Sequence, residues 1–220
     1  NVCKEFNQDL GSWDVSGVTN MAHLFQGTEN FNQDLGNWDV SSVTNMMTMF
    51  SGQVGFGDLS GWDVSSVTNM WGMFSGHQVI GNTDLSNWDV SSVTNMGMMF
   101  NQSNFSGDLS GWDVSKVTNM EKMFFGGWNG GARGIEGWDV SSVTNMAEMF
   151  DYDNNFNKDI SNWDVSSVVT MYNMFGGCYA FNQDISGWDV SSVTDMKSMF
   201  SYAWDFNQDI SGWDVSSVTT

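Results

Sequence analysis

The residues best suited to chemistry in this sequence are aspartates that recur beside a repeated tryptophan. Trp38 to Met46 reads WDVSSVTNM, and nine tryptophans stand in nearly the same string, each followed directly by Asp. Regular carboxylates suit three kinds of chemistry: acid–base catalysis, oxygen ligation of a divalent cation, and local hydrogen bonding in turns. The nine tryptophans are Trp13, Trp38, Trp62, Trp88, Trp112, Trp138, Trp163, Trp188 and Trp213.

The aspartates form two columns when the copies are aligned on the tryptophan as position 0. The columns lie at positions +1 and −4 and together hold 17 of the 26 acidic residues. Gly134 is the single interruption of the second column. Position +1 is Asp14, Asp39, Asp63, Asp89, Asp113, Asp139, Asp164, Asp189 and Asp214, and position −4 is Asp9, Asp34, Asp58, Asp84, Asp108, Asp159, Asp184 and Asp209.

Local hydrogen bonding is our leading interpretation of position +1. Two carboxylates about 5 Å apart repel by about 3 kcal/mol at an effective dielectric of about 20, so each must be hydrated, hydrogen-bonded or bridged. Asp-x-Ser-Ser suits an Asx turn, in which the carboxylate accepts a backbone N–H two or three residues further on. Bridging by Ca²⁺ is an alternative, and an acidic face for a cationic partner is another. The Ca²⁺ candidates are Asp14, Asp39, Asp63, Asp89, Asp113, Asp139, Asp164 and Asp189.

Catalysis fits the two columns poorly. An acid–base pair needs an environment that separates the two pKa values, and repeated equivalent pairs lack that asymmetry. His23 and His77 lie in variable segments without a matching Cys/His cluster, so we expect them at the surface. We therefore expect no enzymatic activity, and no cofactor apart from the Ca²⁺ alternative.

The elements that must position the aspartates follow from the repeat. The tryptophans are 24 to 26 residues apart, and apolar residues recur at −3, 0, +2, +5, +8, +11 and +12. Trp-x-Val has the period of a strand, and Met at +8 with Met-Phe at +11 and +12 has the spacing of a helical face. Thr at +6 or Asn at +7 can cap the first turn of that helix. Fifteen of the 17 methionines fall at +8 or +11, where we expect them to fill the core.

We therefore predict an α/β solenoid with one short parallel strand and one short helix in each repeat of about 25 residues. Residues 1–220 would form a single repeat domain of about nine coils with both ends uncapped. Uncapped ends expose core and strand edges, which makes a fibre or filament one expectation for this chain.

The repeat resembles a known family. L-x-x-W-x-V-x-x-V resembles the leucine-rich-repeat core, and V-T-N-M-x-x-M-F-x-G resembles its treponemal, BspA-like subclass. The string from Phe181 to Met196 is similar to repeats of bacterial and protist surface proteins of undefined function. The resemblance covers essentially the whole chain. It implies a right-handed, leucine-rich-repeat-like coil, an extracellular or cell-surface location, and a role in adhesion, coating or scaffolding.

The composition of the chain limits the classes of partner that it can bind. The net charge of −20 disfavours nucleic acid and anionic membrane surfaces. The apolar runs are too short to cross a bilayer, so we expect no membrane insertion. Cys3 and Cys178 are seven coils apart and cannot pair within one stack. We expect a protein partner or self-association, with a glycan as another candidate.

Residues outside the repeat pattern are the candidates for specificity. Their default role is to cover the edges of coils, and the alternative is an interface, since exposed aromatic clusters mark contact sites. The aromatic candidates are Trp71, Phe125, Trp128, Tyr152, Tyr172, Tyr179, Tyr202 and Trp204. Asn101 and Asn104 stand in glycosylation sequons, which matter in a secreted eukaryotic chain.

The leading prediction for function is a non-enzymatic structural or adhesive protein of the cell surface or extracellular space. A fibre- or coat-forming segment of a longer chain belongs to this prediction. The alternative is a recognition module that binds a protein, glycan or cationic ligand on the acidic face of the parallel sheet.

Overall fold

The computed structural model describes residues 3–52, 55–76, 83–127 and 132–220, in which coils of 24 to 26 residues lie stacked on one another. Parallel bridges join position +7 of each coil to position +7 of the next, beginning with Asn20 to Asn45 and Asn45 to Asn69. A separate bridge joins Asp108 to Arg133. The column of bridges runs through Asn20, Asn45, Asn69, Asn95, Asn119, Asn145, Thr170 and Asp195.

The predicted strand and helix in each repeat are wrong, and so is the α/β solenoid built from them. Across the described residues, the helical structure is one 3-10 helix, Ile135–Gly137, and the strand pairing consists of isolated bridges that build no sheet. The acidic columns therefore do not lie on a parallel-sheet face. They lie beside turns.

Each coil is a series of four-residue turns, closed by an N–H that donates to the carbonyl three residues earlier. The fourth coil illustrates all five turns. Trp88 donates to Leu85 at 3.1 Å, and Val93 donates to Val90 at 2.9 Å. Three overlapping turns then start at positions +8, +10 and +12, closed by Met99 to Met96, Asn101 to Met98 and Ser103 to Phe100 at 3.1 to 3.2 Å.

A left-handed residue at position +10 is the physical reason why the predicted helix does not form. Met98 has φ 55° and Lys122 has φ 55°, and one such residue ends a right-handed helix. Position +14 is left-handed as well, with Gly52 at φ 74°. The complete sets are His23, Thr48, Gly72, Met98, Lys122, Glu148, Asn173 and Ser198 at +10, and Gly27, Gly52, Gly76, Gln102, Gly126, Tyr152, Gly177 and Tyr202 at +14.

From +8 to +14, every second peptide N–H points toward the next coil. In the fourth coil the donors at +8, +10, +12 and +14 reach carbonyls of the fifth coil at 2.7 to 3.0 Å. These bonds satisfy the backbone without a continuous sheet, because the peptides between them are used in the turns of their own coil. The four donors are Met96, Met98, Phe100 and Gln102.

The predicted core positions are confirmed in the coils between the two ends, whereas Trp13, Leu24 and Val215 of the end coils are exposed. In the fourth coil Leu85, Trp88, Val90 and Met96 are all at most 2% exposed. Fourteen of the 15 periodic methionines are buried, and Met196 packs against the core partly buried. The phenylalanines at +12 form a continuous column, with ring centroids 5.8 to 5.9 Å apart from Phe25 to Phe200.

The tryptophan makes a bond that the apolar pattern does not predict. In eight of the nine copies its indole Nε1–H donates to the carbonyl of the residue at −3 in the preceding coil, at 2.9 to 3.1 Å. A tryptophan can place its ring in the core and still supply a donor there. This bond links neighbouring coils through a buried side chain.

Candidate functional site

The aspartates at +1 accept hydrogen bonds within their own coil, as the Asx-turn interpretation predicts. All nine accept the backbone N–H of the serine at +3, at 3.0 to 3.1 Å. The hydroxyl of that serine donates at 2.6 to 2.7 Å to six of them, and at Asp89, Asp113 and Asp214 it is close enough to lower the pKa of the carboxyl. The local bonding is therefore confirmed, and it fixes the corner between Trp and the Val-Ser-Ser-Val turn.

The aspartates at −4 make an equivalent bond at a second corner. All eight accept the backbone N–H of the residue at −2, at 2.9 to 3.1 Å. Our sequence interpretation assigned the Asx bond to the first column alone. The signal that predicts it here is the Ser or Gly two residues after each of these aspartates.

These bonds hold the carboxylates in their charged form. The pKa of thirteen of the aspartates is lowered from its ordinary value because donors stabilise the carboxylate. At ten of them the serine hydroxyl is the largest cause, and at Asp58, Asp108 and Asp209 it is the serine backbone N–H. The ten are Asp14, Asp39, Asp84, Asp89, Asp113, Asp159, Asp164, Asp184, Asp189 and Asp214.

The geometry defines what the columns can do chemically. A carboxylate with a lowered pKa does not hold a proton near neutral pH, so it is a poor general acid. Among the described residues, no three His, Cys, Asp or Glu side chains converge in a group that could hold a metal ion. Ca²⁺ bridging by the eight candidate aspartates stays a prediction. In each carboxylate the Asx bond uses one oxygen, so Ca²⁺ would bind the other.

Two further aspartates are buried, and our sequence interpretation missed them. Asp151 is 3% exposed and Asp153 is fully buried. Burial raises the pKa of Asp151 to about 6, with a further upward contribution from Glu148. Asn173 donates to Asp151 and acts in the opposite direction. The sequence signal is weak: Asp-Tyr-Asp stands at +13 to +15, outside both columns.

Basic and thiol groups surround this buried acidic pair. Lys122 pairs with Glu148 at 3.1 Å, and its charge acts to lower the pKa of Asp151. The Cys178 thiol donates to the carbonyl of Phe150 at 2.9 Å, and burial raises its pKa. A buried thiol with a raised pKa is a poor nucleophile. Cys3 is exposed, and both cysteines are free.

The aromatic candidates do not form one patch. Phe125 meets Tyr152 edge-on with ring centroids 5.7 Å apart, and Tyr179 stacks on Trp204 at 4.2 Å. Among the described candidates, Trp204, Tyr202 and Tyr152 are exposed by 71%, 70% and 58%. Trp71 and Tyr172 are half-buried. Trp128 lies outside the described residues. The interface role of all eight stays a prediction.

The remaining candidates are two sequon asparagines and two histidines. Asn101 is buried and its amide donates to the Ser75 hydroxyl at 2.9 Å, while Asn104 is half-buried. That burial is unfavourable for a glycan at Asn101, and glycosylation stays a prediction. His23 is exposed and its Nδ1 lies 2.6 Å from the Thr48 hydroxyl. His77 lies outside the described residues.

The regular stack of coils, with equivalent Asx corners in successive coils, shows that this is a repeat protein. A family model described as "Mycoplasma protein of unknown function, DUF285" matches residues 1–78, 48–129 and 125–220. The chain belongs to that family. No curated protein and no solved structure matches it.

Within the described ranges, no helix has the length and apolar character needed to cross a membrane.

Proposed function

We propose that this chain is a non-enzymatic structural or adhesive protein of the cell surface or extracellular space. One observation carries the proposal: the described coils share one apolar core and use their exposed aspartates in their own turns. Such a molecule repeats one surface chemistry along its length. Repetition suits coating, scaffolding or multivalent adhesion, where many weak equivalent contacts act together.

Two further features support this proposal. The WDVSSVTNM string is similar to the BspA-like repeats of surface proteins, a finer kinship than the family match itself. The net charge of −20 keeps the molecule soluble and disfavours nucleic acid as a partner. Self-association or a protein partner fits a scaffold of this kind.

Location is tested by immunolabelling of the source cells. An antiserum raised against the purified chain should label intact cells as strongly as permeabilised ones. Labelling that needs permeabilisation would contradict a surface role.

Adhesion is tested with coated beads. Beads that carry the chain should attach to source cells more than beads coated with an unrelated protein of equal net charge, and free chain should compete. Equal attachment of both bead types would contradict adhesion. Sedimentation velocity over a wide concentration range then tests self-association.

The acidic columns favour a second candidate, recognition of a cationic ligand. Their carboxylates are exposed and stay charged at neutral pH. A variant with Asp89→Asn, Asp113→Asn and Asp164→Asn removes three charges and retains an oxygen acceptor for each turn. A lysine-rich peptide should bind the variant more weakly than the parent chain, and salt should weaken both. Equal affinity would exclude recognition at these columns.

A further inference from the structure

A small cavity opens on the surface where the fifth and sixth coils meet, away from the aspartate columns. It has a volume of about 250 Å³ and is lined by Gly126, Gly127, Tyr152, Asn154 and Asn155. We call it the Tyr152 notch. Its lining therefore combines two glycines, one tyrosine and two asparagines.

At the notch an aromatic residue stands between two glycines of one column. Position +14 is Gly126, Tyr152 and Gly177 in three successive coils. A Cβ at Gly177 would lie 3.4 Å from Cδ1 of Tyr152, so the tyrosine ring packs over that glycine. Gly126 and Gly127 also line the notch and contribute backbone alone.

The backbone of Tyr152 argues that its side chain matters. Its φ is 61°, a left-handed conformation that costs a non-glycine residue about 1 kcal/mol. Five of the eight copies have glycine at this position. Tyr152 is nevertheless 58% exposed, so core packing does not account for the tyrosine.

We propose that the Tyr152 notch binds a neutral pyranose unit. A pyranose has an apolar C–H face that packs on an aromatic ring, and hydroxyl groups that bond to an amide such as that of Asn154. Glycine backbone in the lining allows the sugar ring to approach closely. The volume is below that of pockets for drug-sized ligands, which suits a single ring.

The charges around the notch favour a neutral ligand over a charged one. Among the described residues that line it there is no carboxylate or cation, and Asp153, whose carboxylate lies beside Gly127, is fully buried. An anionic sugar would be repelled by the net charge of −20. The inference goes beyond the structural role proposed above and does not depend on it, because the notch is built from residues of two particular coils.

Saturation-transfer NMR tests this directly. The probes are methyl β-glucopyranoside, methyl β-galactopyranoside, methyl α-mannopyranoside and N-acetylglucosamine, with N-acetylneuraminic acid and tetramethylammonium as charged probes. We expect transfer to the C–H protons of at least one neutral probe, with a dissociation constant on the order of 1 mM. Transfer to no neutral probe, or to tetramethylammonium alone, would overturn the proposal.

Matched variants locate the binding. Tyr152→Gly installs the residue that five other copies carry, so the fold should persist while binding falls at least about tenfold. Tyr202→Gly is the control, since Tyr202 has the same position in its coil, φ 59° and 70% exposure, and does not line the notch. Binding should be unchanged in that control. Binding that persists in Tyr152→Gly, or that is lost equally in both variants, would overturn the assignment.

Discussion

Eight of the nine repeated tryptophans combine two contributions that a leucine could not. Trp88 is 2% exposed, and its Nε1–H donates to the carbonyl of Leu59 at 3.0 Å. Its ring lies 6.1 Å from that of Phe74 in the preceding coil. The apolar body fills the core while the donor satisfies a carbonyl of the preceding coil.

Replacing Trp88 by Phe should therefore destabilise the chain strongly. The change leaves the Leu59 carbonyl without its donor and opens space in the core, with a combined cost of about 2–4 kcal/mol. The free energy of unfolding from a urea titration measures it. Trp13→Phe is the control, because Trp13 is 59% exposed, and should cost less than about 1 kcal/mol. Equal losses would exclude a special role for the buried indole bond.

Asp151 gives a pH dependence of definite sign. Its pKa is about 6 in the folded chain, above the ordinary value of 3.8. The unfolded state therefore loses this proton first, so the stability contribution is complete below pH 3.8 and is lost as pH rises to about 6.

Asp151→Asn removes the ionisable carboxyl, so the variant should not lose this stability as the pH rises. We expect thermal melts to show a higher melting temperature than the parent at pH 7.5 and a much smaller difference at pH 4. The glutamine variant Glu148→Gln should produce a weaker change of the same sign, because Glu148 raises the pKa of Asp151 second to burial. A variant no more stable than the parent at pH 7.5 would contradict the assignment.

At the scale of the elements, the coil is made of turns whose hydrogen bonds are local. The Asx corners were predictable, because Asp-x-Ser places donor and acceptor two residues apart regardless of the rest of the fold. The core positions were predictable as well, because their side chains recur at fixed spacing. The helix was not, since turns that overlap at +8, +10 and +12 give the same apolar spacing as one helical face.

The left-handed backbone conformations that exclude a helix are hard to predict from the sequence. Position +10 is left-handed in eight copies, and only one of the eight residues there is glycine. Position +14 carries glycine in five copies, which was the available signal for a turn. The burial of Asp151 depends on Gly176 in the next coil, where a Cβ would lie 2.6 Å from its Oδ1. Such a contact follows from how coils stack and not from local pattern.

Substitution of a left-handed glycine tests the turns alone. Gly52 has φ 74°, and the nearest contact of an added Cβ would be 3.9 Å away, so space is sufficient. Gly52→Ala should cost about 1–2 kcal/mol from backbone conformation. Gly61→Ala is the matched control, since its added Cβ meets nothing within 4 Å. It should be neutral or slightly stabilising, and a neutral Gly52→Ala would contradict the turn geometry.

At the scale of the whole molecule, acid should unfold the chain. Thirteen aspartates have pKa values held below their ordinary value of 3.8 in the fold. Their contribution to stability is therefore present above pH 3.8 and is lost as pH falls through the folded values. Thermal melts should show falling stability below about pH 4. Unchanged melting down to pH 2 would show that the Asx bonds do not favour the ionised form.

The central claim is that turns and bonds between coils, without a helix in each repeat, hold this chain together. Backbone NMR assignment with nuclear Overhauser measurements tests it most directly. We predict contacts between equivalent residues of neighbouring coils, such as Asn69 with Asn95 and Asn95 with Asn119, and a left-handed φ at Met98. Continuous helical contacts from +8 to +12 in each repeat, with a right-handed φ at Met98, would contradict the account.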